Sequence, residues 1–421
     1  MPTTSEWSRF KKYARRMKKL ESNISEEPVP LDVLSTLQLR TLNETLLSNL
    51  KILELEEATA DLIPFFPLFL SHRTTHIHIN FIASPPAVMI ASMIINLPKL
   101  CPYMESIFLQ PLLDDATIAS ATSEMLLTCN LDTLRTFQVD APLTEEANRA
   151  VYQLPNLRGL RSVIMEHTSM PTVLLPSLTE LDVEYYRDHA DWIRAFHEAA
   201  LSKLKGVSFH AKCDRIGNFL EAFQTAFNSS ASTLSTLSIF TSHSWNPSYY
   251  SLLPFKQLKE LVIEFSCQDG CSSSVDDEII TALAQTMPKL EVLQLGEAPC
   301  QTLSNVTIQG LITLAHRCPC LSKLRIHFQT HSLVVALASE VMLVPSDGLP
   351  QGKCTLEILE VGEISIPQQH ALPVSFALLC IFPHLLLIEY INEEWKWVAE
   401  CIRLSKIVGS LVHRSGKMHT P

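Results

Sequence analysis

The chain has 421 residues, of which 47 % are hydrophobic and 18 % charged, enough apolar content to bury a large core and to exclude disorder. Its formal net charge of −11 weighs against a general binder of nucleic acid or of anionic membranes. Its 11 glycines fall far below the roughly 7 % usual in soluble proteins, too few for the clustered loops that cradle phosphates.

In chain order, residues 1–46 read as an N-terminal cap. Trp7, Phe10, Ala14 and Met17 share one helical face, and Arg9, Lys11, Lys12, Arg15, Arg16, Lys18 and Lys19 surround it. The expectation is a first helix whose apolar stripe covers the exposed end of a repeat array starting at residue 47. A nuclear signal or a membrane-surface helix is the alternative. Residues 21–30 read as a short flexible link. No apolar signal segment is expected at the start, and the 11 cysteines are spread singly, an odd count that gives no disulfide framework. Both point to a reducing compartment, cytoplasmic and/or nuclear.

From 47 to 391 one phrase recurs: apolar, two variable, apolar, one variable, apolar. Clear copies are Leu50/Leu53/Leu55, Met104/Ile107/Leu109, Leu134/Phe137/Val139, Leu178/Leu181/Val183 and Leu204/Val207/Phe209. Others are Leu234/Leu237/Ile239, Leu258/Leu261/Ile263, Leu290/Leu293/Leu295, Leu321/Leu324/Ile326, Leu356/Leu359/Val361 and Leu385/Ile388/Tyr390. Weaker copies lie at Thr74/Ile77/Ile79 and near Leu157/Leu160, where the register is open by one residue. The spacing is about 28 residues, at the upper end of the leucine-rich-repeat range.

Helix-patterned segments at 87–97, 114–127, 191–201, 218–227, 276–287 and 306–318 separate the phrases. Asp276 or Asp277, and Ser304 or Asn305, are candidate N-caps. Pro98, Pro155, Pro176, Pro254, Pro288, Pro319 and Pro383 stand just before the next phrase, where a helix must stop. A helix–strand pair of this size cannot hide its apolar face alone, but stacked copies can. The expected fold is therefore α/β: a leucine-rich-repeat solenoid, or horseshoe, of about thirteen irregular repeats, with parallel strands on the concave face and helices on the convex face. The length then belongs to one elongated body and not to two or three globules.

The apolar run 372–391 has the length of a membrane span, but Pro373, Pro383, His384 and Glu389 interrupt it, and the repeat accounts for it better. Residues 392–421 lose the repeat and read as a closing cap with a frayed end.

The phrases LPKLCPYMESIFL, MPKLEVLQLG and GLITLAHRCPCLSKLRIHF resemble the leucine-rich repeats of F-box proteins. The opening EWSRFKKYARRMKKL, with PLDVLSTL and LLSNLKILEL, is similar to the segment that joins an F-box to its repeats in basidiomycete fungal F-box-like proteins. The resemblance spans about residues 5–391. It implies the substrate-binding part of a cullin–RING ubiquitin-ligase adaptor, with the transfer chemistry on other subunits. The F-box motif itself is not found in this chain, so a Skp-type adaptor is implied as partner only if an F-box lies upstream.

Strand alternation places the third, fifth and seventh positions of each phrase on the concave face. Glu54 and Glu56, Glu180, Asp182 and Glu184, and Glu260 and Glu264 form acidic rungs there, and Lys323, Arg325 and His327 a basic one. These are the candidate partner-binding residues, weighed against ordinary solvated strand faces. Acidic rungs suit a protein substrate with a basic segment. The long connections 266–278 and 344–353 read as surface loops.

Neither His72/His76/His78 nor His316/Cys318/Cys320 supplies the two close pairs a structural zinc wants, and Cys267/Cys271 has no second pair. His197–Glu198 begins a metalloprotease-like helix but has Leu201 where the second histidine belongs. Asp114–Asp115 and Asp276–Asp277 suit helix starts. No catalytic residue, metal or cofactor is expected, nor a nucleic-acid or membrane partner. The expected function is protein recognition; the alternative is a leucine-rich-repeat scaffold with no ubiquitin-ligase role.

Overall fold

The computed structural model describes residues 3–22, 30–41, 44–81, 85–110, 115–129, 131–164, 175–185, 196, 201–211, 218–241, 245, 247–265, 275–296, 305–329, 354–361, 366–390 and 392–416. The chain forms two compact units, one of Met1–Arg187 with Asp191–Leu204, the other of Asp188–Ala190 with Lys205–Pro421. Each is built on parallel strands that pair in chain order, with helices in the connections. The α/β class with an all-parallel ladder is thus as expected.

In the first unit the strands are β1 (Lys19–Ser22), β2 (Ile52–Ala58), β3 (His76–Phe81), β4 (Ser106–Gln110), β5 (Thr136–Pro142), β6 (Gly159–Ile164) and β7 (Glu180–Tyr185). Parallel pairing links each to the next. The inward row is the phrase itself: Leu53, Ile77, Ile107, Phe137, Leu160 and Leu181 are all buried and in register. Each such side chain contributes roughly 1.5–3 kcal/mol on burial. Thr74 takes the place of leucine in its copy; its buried hydroxyl donates to the Leu50 carbonyl, so the polar group is satisfied.

Helices α1 (Thr4–Ala14), α2 (Leu31–Thr41), α3 (Phe66–Phe69), α4 (Ala87–Leu100), α5 (Ala116–Thr128) and α6 (Glu145–Val151) belong to the same unit. α4 packs on α5 and α5 on α6. Asp115 caps α5, its Oδ1 accepting from Thr117 N at 2.7 Å, and Thr144 caps α6. α4 continues through Pro98 to Leu100, two residues past the expected stop, because a proline in the last turn displaces only one backbone bond.

Two expectations for the N-terminal part change. The ladder begins earlier than residue 47, since β1 takes residues 19–22, the last two from the expected link. Only Leu20 is apolar in that strand, and the backbone carries it: the Lys18 carbonyl accepts from both Lys51 N and Ile52 N. The apolar stripe of α1 is also only partly used as a cap. Ala14 is buried and Trp7 half-buried, whereas Phe10 and Met17 are exposed.

In the second unit the strands are β8 (Gly206–Ala211), β9 (Thr236–Thr241), β10 (Glu260–Phe265), β11 (Val292–Leu295), β12 (Lys323–Ile326), β13 (Ile358–Val361) and β14 (Leu387–Tyr390), again parallel neighbours in chain order. The helices are α7 (Phe219–Phe227), α8 (Asp277–Thr286), α9 (Ile308–Arg317), α10 (Ala371–Ile381) and α11 (Trp395–Gly416). Phe219, Phe223 and Phe227, spaced four apart on α7, all meet Phe209 of β8 edge-on at 5.1–6.1 Å. Such pairs add roughly 0.5–1.5 kcal/mol beyond area burial.

Asp276 caps α8 as expected, accepting from Ile279 N at 2.9 Å. The cap of α9 is Thr307, not Ser304 or Asn305. Asp277 is the reason: its carboxylate accepts from Thr307 N at 2.8 Å and from the Thr307 hydroxyl at 2.5 Å, fixing that residue at the helix start.

The apolar run 372–391 divides into α10, a turn at Pro383–His384 and β14. Among the described residues no helix is long and apolar enough to cross a membrane. Trp395, Val398 and Ile402 are buried on α11, which packs on α10 and β14. The helix expected at 191–201, apart from Phe196 and Leu201, and most of the connections 266–278 and 344–353 lie outside the described residues.

Candidate recognition face

With the apolar row turned toward the helices, the alternate residues of each strand face away from them. They are mostly half-buried, as expected when each strand shelters the next.

In the first unit these residues join into networks. Lys19 Nζ lies 2.6 Å from Glu54 and 2.9 Å from Glu21. Glu56 accepts from Asn80 at 3.2 Å and lies 3.4 Å from His78 Nε2, and the His78 ring packs on Phe108 with centroids 4.0 Å apart. Farther along, Arg161 gathers three carboxylates. Its Nε is 2.7 Å from Asp140, Nη1 3.5 Å from Asp182 and Nη2 3.8 Å from Glu184. The Asp140 contact is close but off-line for a hydrogen bond. Burial pushes the Asp140 carboxyl up; Arg161 opposes the shift, Glu184 adds to it, Gln110 opposes it and Asp182 adds to it.

The second unit carries a balanced cluster. Arg325 Nη1 lies 2.5 Å from Glu264, its Nε contacts Glu360, and Lys323 Nζ contacts the other Glu360 oxygen. Gln294 Nε2 donates to Glu360 at 3.5 Å. Burial opposes ionisation of Glu360, but hydrogen bonds from Lys323 and Arg325 hold its carboxyl below the usual range. Burial likewise disfavours the Arg325 charge, while Glu360 and Glu264 raise its pKa. Nearby, His210 and Phe240 stack at 4.7 Å, and Ser208 Oγ lies 3.2 Å from His210 Nε2.

The rungs read from the sequence lie on strand positions that alternate with the buried row, with His327 just past the end of β12, but they are not free charges. Glu54 pairs with Lys19, Glu264 and Glu360 with the basic rung, and Glu184 and Asp182 with Arg161. Glu180 and Glu260, at the strand starts, are exposed, and His327 is half-buried. Glu360 and Gln294 are buried although alternation points them outward, because neighbouring rungs close over them through the ion pairs.

Sequence reasoning missed Arg161, since the apolar residues Leu160, Val163, Ile164 and Met165 left its strand register open. It also missed Lys19, whose strand has no repeat phrase. Asp140, His78 and Phe108 stand on outward positions of the phrase, but their contacts run between strands and no local pattern announces them.

Among the described residues no three His, Cys, Asp or Glu side chains form a metal-holding group. His76 Nδ1 is 2.9 Å from Thr75 Oγ1, and Cys318 is buried with its thiol toward the Met287 carbonyl. Cys267, Cys271, Asp114, His197 and Glu198 lie outside the described residues. No protein-family model matches the chain, and no curated protein matches its sequence.

Proposed function

We propose that both units are built of leucine-rich repeats and that the chain is a protein-recognition module, its partner binding on the outward side of the strands. One observation carries this reading: the inward positions are nearly uniform in chemistry, while the outward positions in the same register vary widely, repeating only at Glu21/Glu54, Ser208/Ser238 and Glu360/Glu389 among the described pairs. Packing needs explain the first row and place no demand on the second, so the second is where specificity can be written.

The proposed partner is a protein substrate with a basic segment. The support is the charge at β5–β7, where Asp140, Asp182 and Glu184 gather around Arg161. Rung 260–264 contributes less, because Arg325 already holds Glu264. The similarity of the opening segment and repeats to F-box-like proteins supports a substrate-adaptor role in a cullin–RING ligase. A scaffold with no ubiquitin connection is the second reading.

Reversing Glu180, Asp182 and Glu184 to lysine is expected to abolish capture of the partner, with Asp182→Asn and Glu184→Gln giving a graded loss at unchanged fold. Capture that survives all of these changes overturns the basic-partner reading. Co-precipitation of a Skp-type adaptor with the chain, expressed with any in-frame upstream sequence, supports the ligase role. Its failure leaves the scaffold.

A further inference from the structure

The face of α1 that the first unit leaves uncovered is both basic and aromatic. Residues 9–19 hold seven Lys and Arg and no acid, in a chain whose net charge is −11. Lys11 and Lys19 are spent on Glu44, Glu21 and Glu54. Arg9, Lys12, Arg16 and Lys18 are exposed, and beside them Phe10 is 41 % and Tyr13 56 % exposed.

This helix is not a fraying end. Thr3 and Glu6 close a capping box, Ala14 is buried, Asn49 donates to the Arg15 carbonyl at 2.5 Å, and Lys18 O accepts from the start of β2. Its orientation is set, and it holds large apolar groups in water.

We propose that α1 is a docking surface for an anionic lipid membrane. Cations flanking exposed aromatic side chains suit the headgroup boundary, where the rings enter the interface and the cations meet lipid phosphates and carboxylates. A lone convex helix side offers a peptide no groove for its anchors, whereas a lipid surface needs none. The acidity of the rest of the chain hides this local charge from a whole-chain sum.

The test is sedimentation of the full chain with phosphatidylcholine vesicles, with and without phosphatidylserine. The expected result is binding only when phosphatidylserine is present, weakened by salt. Arg9→Glu with Arg16→Glu, and separately Phe10→Ser with Tyr13→Ser, should each lower the partition at least about tenfold. All four sites are exposed, so melting should be unchanged; Phe10→Gln with Tyr13→Gln replaces the serine pair if it is not. No binding, or equal binding to both vesicles, overturns the proposal. So does loss in the arginine variant with none in the Phe10/Tyr13 variant, which would mean attraction to any polyanion, nucleic acid included.

Discussion

Arg161 on β6 lies 2.7 Å from Asp140 on β5, so one guanidinium ties the outward rungs of neighbouring strands together. The same group reaches Asp182 and Glu184 on β7, so three carboxylates share it within a mostly sheltered cluster. Arg161→Gln is expected to cost about 3 kcal/mol near neutral pH, the usual order for removing one partner of a buried ion pair. The cost should shrink in acid. Without the cation the three carboxylates repel, and protonation relieves that repulsion as pH falls. Urea unfolding at two pH values measures this. An equal cost at both would mean that Arg161 acts through packing alone.

Glu360 gives the opposite pH dependence to an unaided carboxylate. Lys323 and Arg325 hold its folded-state pKa below the unfolded value. Its stabilisation is therefore complete above the unfolded carboxylate pKa and is lost as pH falls through the depressed folded value. Glu360→Gln should destabilise by about 2 kcal/mol at neutral pH. The gap to wild type should close in acid, as followed by thermal unfolding across pH.

Gly310 on α9 is held small by Asp277. A Cβ there would stand 2.5 Å from Asp277 Oδ1, the atom that accepts from Thr307 N. Alanine in a helix interior normally gains up to about 1 kcal/mol over glycine. Gly310→Ala should instead lose about 1–3 kcal/mol by displacing the brace. In an Asp277→Ser background the loss should shrink to what Val306 Cγ1, 3.0 Å from that Cβ, still imposes, and a double-mutant cycle of unfolding free energies reads the coupling.

Phe223 is fully buried between Phe209, Phe227 and Phe255. Phe223→Ala should cost about 3–5 kcal/mol in unfolding free energy. A loss under about 1 kcal/mol would show that the aromatic layer is not closely packed.

The inward row was legible because a buried parallel strand demands apolar side chains at fixed spacing; Leu53, Ile107, Leu181 and Leu293 follow that demand. Helix ends were legible where the cap is local, as at Asp276, and illegible where a distant residue decides, as when Asp277 selects Thr307. The candidate face was legible as a set of residues but not as a charge map. Arg325 meets Glu264 and Glu360 across 61 and 35 residues of sequence, and no local pattern announces such pairings. β1 escaped notice because backbone bonds to Lys18 and not a leucine row hold it in place.

Binding of a protein partner on the outward side of the strands is open to direct test by site-specific photocrosslinking. A photoreactive residue is placed at Phe108 on that side, and at Val88 on the exposed side of α4. The expected result is one partner captured from Phe108, lost on Asp182→Asn with Glu184→Gln, and not captured from Val88. Capture of the partner from Val88 alone would contradict binding on the strand side.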